Sequence, residues 1–291
     1  MKVLIENETL VAESKTQGAE LTSIRLKADG TEYLWQADPA YWARHAPLLF
    51  PIVGSVAGNQ YSFGGREYAM KNHGFARDAE FALAECAPSC AVYRLVSDEE
   101  TYKIYPFRFT LDIGYALRAN ALEVRWNVLN GDTKEMFFSI GAHPAFNCPL
   151  VPGQPFEDHY LEFGETETLD RQFVNAANLL VAGRREPFLH GERIKPLTKG
   201  MFAEGAYILD GVQSSSVALK DRNTAKSVTV SFPGFPYLGI WAPDGAPFVC
   251  IEPWYGIAEA TDFKGDLKRK RGILKLGPGE VFESKYHIII T

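Results

Sequence analysis

Apolar and polar residues alternate with a period of two along most of this chain. Between Phe109 and Leu117 the apolar side chains of Phe109, Leu111, Ile113, Tyr115 and Leu117 are interleaved with Thr110, Asp112, Gly114 and Ala116. After Ala119-Asn120 the pattern resumes in Leu122, Val124, Trp126 and Val128, separated by Glu123, Arg125 and Asn127. Successive strand side chains point to opposite faces, so two such runs joined by so short a turn predict an antiparallel hairpin with one buried face. Similar runs predict strands over residues 2–6, 21–26, 81–86, 91–97, 135–140, 216–220, 227–232, 237–241, 248–252 and 281–290. No helical periodicity extends beyond about two turns, and the best helix candidate is a short turn over residues 39–44. Many strands at short spacing, punctuated by 17 prolines and 25 glycines, predict an all-β fold of antiparallel sheets with few short helices.

Residues 153–205 lack clear periodicity and contain Pro155, Pro187 and Pro196. They retain Phe156, Phe163, Phe173, Leu179, Leu180 and Phe188, which a polar linker would not. Loops and short strands of the same domain are expected there, and residues 1–291 are read as a single domain. A chain of this length buries roughly 75% of its unfolded surface and needs no metal or disulfide staple. Thirty Lys+Arg against 36 Asp+Glu give a net charge of −6. Without a basic face or basic amphipathic helix, nucleic-acid and membrane partners are not expected. The run Lys268-Arg269-Lys270-Arg271 is expected as a solvated turn. Residues 1–15 carry Glu6, Glu8 and Glu13 with no apolar run behind a basic start, so a cytoplasmic location is expected. The spacing of Cys86, Cys90, Cys148 and Cys250 suggests free thiols rather than a disulfide framework. Aromatic residues, at 13%, suit strands and also suit a site that stacks on the flat faces of sugar rings.

Three segments carry the candidate chemistry. Arg44-His45-Ala46-Pro47-Leu48-Leu49-Phe50-Pro51-Ile52-Val53-Gly54 and, further on, Asn72-His73-Gly74-Phe75-Ala76-Arg77-Asp78 place His and Arg beside glycines, where backbone can approach a ligand. Gly141-Ala142-His143-Pro144-Ala145-Phe146 sets His143 at a strand end, with an unperturbed pKa of about 6.5 suited to proton transfer near neutrality. Phe248-Val249-Cys250-Ile251-Glu252-Pro253-Trp254-Tyr255-Gly256 ends an apolar strand on Glu252, a setting that raises a carboxyl pKa. Each segment alone also has a structural reading: a carbonyl-capping histidine, a satisfied core histidine, a glutamate paired with a basic residue. Together they suit proton shuttling on a polyhydroxylated ligand, with Trp254, Phe146 and Trp42 as stacking surfaces.

The four motifs R-x-x-P-x-L-F-P-x-x-G, H-G-F-A-R, G-x-H-P-A-F and E-P-W-x-G, spanning residues 44–256 in this order, resemble the LacX-like branch of the aldose 1-epimerases. The resemblance implies a galactose mutarotase-like β-supersandwich and a reaction without cofactor or metal that interconverts the α and β anomers of a hexose. By the same resemblance Glu252 is the general base at the C1 hydroxyl and His143 the acid at the ring oxygen. His73, Arg44 and Arg77 bind the sugar, and Asp210 is the candidate for a substrate-binding aspartate. Asn59-Gln60 stands where the galactose-specific branch has Asn-Arg, and Ser55 where many LacX-like members have Arg, which leaves the sugar unnamed. The alternatives are a hexose-6-phosphate 1-epimerase, because two arginines can hold a dianion, and a non-catalytic carbohydrate-binding or sensing protein. A glycosidase would need a second facing carboxylate, and Asp78 is its only obvious source. The partner is thus expected to be a small sugar or sugar phosphate, with monomer and dimer both open.

Overall fold

In the computed structural model, which describes Met1–Thr291, the alternating segments become strands close to their expected places. Phe109–Arg118 and Ala121–Asn130 form the expected hairpin, with Leu117 opposite Leu122 and Ile113 opposite Trp126. Its turn is possible because Ala119 adopts a left-handed conformation, φ +50°. The hairpin belongs to a 15-stranded sheet. From one edge this sheet runs through Leu48–Leu49, Ile140–Ala142, Phe248–Tyr255, Tyr237–Trp241, Tyr207–Asp210, His159–Val174 and Ser216–Asp221. It continues through Ser227–Ser231, Val281–Ile290, the hairpin, Cys90–Val96 and Ala82–Ala87. Ala145–Asn147 also pairs with Phe248–Tyr255, and Leu180–Pro196 with His159–Val174. A three-stranded meander, Lys2–Glu6, Leu10–Lys15 and Leu21–Leu26, packs its buried face on the same core. The chain is therefore predominantly antiparallel β, as its periodicity predicts. No helix is long and apolar enough to cross a membrane.

The inward residues of these strands merge into a core of 68 buried side chains. Phe50, Tyr105, Phe109 and Phe138 pack around one another in it, with the Phe50 and Phe109 ring centroids 5.2 Å apart. Seven further buried residues, Leu49, Val53, Leu180, Ile208, Trp254, Ile257 and Ala258, cluster separately around the cavity described below.

Three local expectations are corrected. Residues 39–44 do not form a helix: Asp38 accepts from Ala40 N through its side chain and from Tyr41 and Trp42 N through its carbonyl, and the turn stops there. The α-helix is instead Glu99–Ile104, capped by reciprocal Asp98–Thr101 hydrogen bonds. Residues 153–205 are not mainly loops and short strands, because His159–Val174 and Leu180–Pro196 form a long ribbon. Four register shifts break its period-two signature. Within the basic run Lys268, Arg269 and Arg271 are exposed, but Lys270 is buried and donates from Nζ to the Ile257 carbonyl. Burial pushes its pKa down to about 8.

Candidate active site

Pro144 has no N–H to give a ladder, but its carbonyl accepts from Ile251 N at 3.3 Å, and Ile140–Ala142 and Ala145–Asn147 pair with Phe248–Tyr255 in one register across the gap. Both short strands pair with that longer one in this register, which sets His143 across from Glu252. His143 Nε2 lies 3.2 Å from Glu252 Oε2, and both side chains are buried. Neither Glu252 Oε2 nor His143 Nδ1 has a hydrogen-bond partner. Burial holds the Glu252 carboxyl well above the usual carboxylate range and pushes His143 down to about 3. Both shifts favour the uncharged forms of the two groups.

The pair opens onto a cavity of about 240 Å³. Trp42 stacks on the His143 ring at 4.8 Å and 28°, and Trp241 meets it edge-on at 5.6 Å. Trp254 lies flat across two glycines of the neighbouring strands: a Cβ at either Gly141 or Gly239 would come within 2.5 Å of its ring. Its Nε1 donates to the Ala142 carbonyl at 3.1 Å. These two glycines are what let an indole ring serve as cavity wall.

His73, its ring edge-on to that of His143 at 5.7 Å, adopts a left-handed conformation, φ +64°, which is costly for a non-glycine residue. Its N–H donates to the Gly54 carbonyl at 2.8 Å, while its Nδ1 accepts from Gly54 N at 3.1 Å. That second bond leaves the ring proton on Nε2. Burial pushes His73 well below its ordinary pKa, so it acts as a neutral hydrogen-bond donor. Arg77 also lines the cavity; its Nη2 donates to the Asn72 carbonyl at 2.7 Å and its buried Nε has no partner. Ser55 donates to Asn72 Oδ1 at 3.1 Å and so supports the cavity wall.

Of the residues singled out from the sequence, Glu252, His143, His73, Arg77, Trp254 and Trp42 line this one cavity. Three do not. Arg44 is tied to Asp78 at 2.8 Å beside the site. Phe146 is fully buried in the core, because its alternation on the short strand Ala145–Asn147 turns it inward. Asp210, proposed as a substrate ligand, is engaged by Arg185 through two 2.9 Å hydrogen bonds and also by Arg271. It lies one strand repeat beyond Ile208, the residue of Tyr207–Asp210 that reaches the cavity. Residues that motif reading missed are Trp241, Val174, Asn178, Ala206, Ile208 and Ala258. Val174 and Asn178 come from the tip of the long ribbon, docked by Leu180 N to the Glu259 carbonyl at 2.8 Å. A larger hollow of about 340 Å³ brings Glu157, Lys199 and Asp244 to the surface but no histidine.

The aldose 1-epimerase family profile matches residues 1–275. This chain belongs to the aldose 1-epimerase family. Over 299 aligned residues it is 36% identical to Protein LacX of Lactococcus lactis subsp. lactis, in both plasmid and chromosomal versions, covering 100% of this chain and 99% of the relative. Its fold matches a galactose mutarotase related enzyme from Lactobacillus acidophilus with a TM-score of 0.95 at 33% identity, covering 100% of this chain and 97% of that one. A galactose mutarotase-like protein from Lactobacillus casei superposes with a TM-score of 0.94 at 32% identity, with both chains covered completely. Membership of the family places the chain among carbohydrate epimerases, and the galactose mutarotase-like sandwich is its fold.

Proposed function

We propose that this aldose 1-epimerase family member interconverts the α and β anomers of a hexose, with Glu252 and His143 as its base and acid. The observation that carries this reading is the 3.2 Å contact between two buried, oppositely shifted groups facing a sugar-sized cavity. Substrate binding brings the C1 hydroxyl as a donor to Glu252, which favours the carboxylate and moves the resting proton onto His143 Nε2. Glu252 then takes the C1 hydroxyl proton while His143 protonates the ring oxygen, and the C1–ring oxygen bond breaks to give the open-chain aldehyde. Rotation about the C1–C2 bond presents the other face of the carbonyl. On closure the C5 hydroxyl returns its proton to His143, and Glu252 returns the other to the carbonyl oxygen. The pair ends with the single proton it began with. His73 Nε2–H and the Arg77 guanidinium donate to sugar oxygens, and Trp254 offers the ring a flat apolar face.

General acid and general base catalysis contribute about 10²–10⁴-fold each. Glu252→Gln and His143→Ala should therefore each slow anomer exchange, followed by NMR magnetisation transfer between the anomeric signals, by at least about 100-fold. Activity within threefold of wild type in both variants would remove the assignment. A second reading, a phosphorylated hexose, is favoured by the unpartnered Arg77 Nε. On that reading Arg77→Ala weakens a sugar phosphate far more than the free sugar; equal losses on both count against it.

A further inference from the structure

We propose that His143, Cys250 and Glu252 together form an inhibitory site for a thiophilic divalent cation of the zinc class. Alternation along Phe248–Tyr255 puts Cys250 and Glu252 on one face, and the register of the neighbouring short strands sets His143 across from Glu252 on that face. One donor atom from each residue lies within 4.8 Å of the other two, and all three residues are buried. Tetrahedral zinc holds nitrogen, sulfur and oxygen donors at about 2.0–2.3 Å, so an adjustment of about 1 Å closes the site. Glu252 Oε2, 1% exposed as a residue, supplies an independent sign: it faces Nε2 at 3.2 Å without a hydrogen-bond partner.

The charges also balance. A thiolate and a carboxylate neutralise a dication and the imidazole stays neutral, so the buried complex carries no net charge. Binding releases the Cys250 thiol proton and the proton of the His143–Glu252 pair to water. Three protein donors leave the fourth tetrahedral position for water or a sugar hydroxyl. Resident zinc sites orient their histidine by an outer hydrogen bond, which His143 Nδ1 lacks. The ion is therefore exchangeable and regulatory, and it inhibits by occupying both groups that move protons. The inhibition rests on the epimerase reading; the binding does not.

Cadmium reports on this site directly through thiolate-to-metal charge-transfer absorption in the ultraviolet. Cys86 and Cys90 lie near one another on paired strands and would compete, so the test protein is the full chain carrying Cys86→Ser and Cys90→Ser. We expect one Cd²⁺ per chain with this absorption, and its loss when Cys250→Ala is added, whereas Cys148→Ala leaves it intact. Zn²⁺ should slow mutarotation of the test protein, and Cys250→Ala should raise the half-inhibitory concentration at least about tenfold. Absence of the band, its survival in the Cys250→Ala protein, or an unchanged half-inhibitory concentration overturns the proposal. A Cys250-dependent band in a protein that does not accelerate mutarotation supports the site and rejects the epimerase reading.

Discussion

Glu252 and His143 are costly residues to bury, and the cost has a pH signature. Unfolded, Glu252 ionises near its ordinary 4.5; folded, burial makes it hold its proton to much higher pH. Folding therefore takes up a proton above about pH 4.5, and the stability associated with this group declines as pH rises, by at most about 1.4 kcal/mol per unit. His143 works in the opposite direction: its folded value near 3 lies below the ordinary 6.5, so its contribution weakens as pH falls between them. Glu252→Gln cannot ionise, so its melting temperature should exceed that of wild type by more at about pH 8 than at about pH 5. Thermal denaturation at both values checks this, and a gap that narrows with rising pH would contradict the buried, protonated carboxyl. At this scale the motifs are informative about which polar side chains meet: His73, Arg77, His143 and Glu252, all singled out by them, line one cavity. Val174, Asn178 and Ile208 were not legible in the sequence, because ordinary residues become cavity walls only through the packing of distant segments. Asp210 illustrates the converse error: a lone acidic residue looks available until Arg185 and Arg271 are placed beside it.

Elements were readable where strands have one wet face. The hairpin of Phe109–Arg118 and Ala121–Asn130 announced itself through alternation, and Tyr237–Trp241 and Val281–Ile290 match their expected limits. The ribbon of His159–Val174 and Leu180–Pro196 did not, since each register shift moves side chains between faces and erases the period. Strand spacing also explains why Trp254 demands small neighbours on both sides. Gly239→Ala places a methyl group 2.5 Å from the indole, and the flanking Gly141 leaves the ring no free direction for retreat. We expect a loss of about 1–3 kcal/mol and a larger proportional loss of activity than of fold. Urea unfolding with parallel rate measurements tests this; wild-type stability and turnover together would show that the ring is not confined.

Across the whole molecule, neighbouring strands of the sheet and the loop that holds His73 and Arg77 bring four motifs separated by up to about two hundred residues to one cavity, a convergence that no local pattern discloses. Their order did identify the family, since together they point to it more strongly than any one does, and the sequence and structural relatives agree with it. What order and composition leave open is the sugar, because the cavity walls come from different parts of the chain. The proposed chemistry uses side chains alone, so a chelator should leave the rate unchanged or, where the protein carries zinc, raise it; a rate abolished by EDTA and restored by metal would contradict it. The most direct measurement is polarimetry of freshly dissolved α-glucose, α-galactose and α-glucose-6-phosphate, with Glu252→Gln protein as the blank. The account predicts faster mutarotation than the blank for at least one of these sugars. No acceleration of any of them, while calorimetry still detects sugar binding, would contradict it and leave a carbohydrate-binding protein on the same fold.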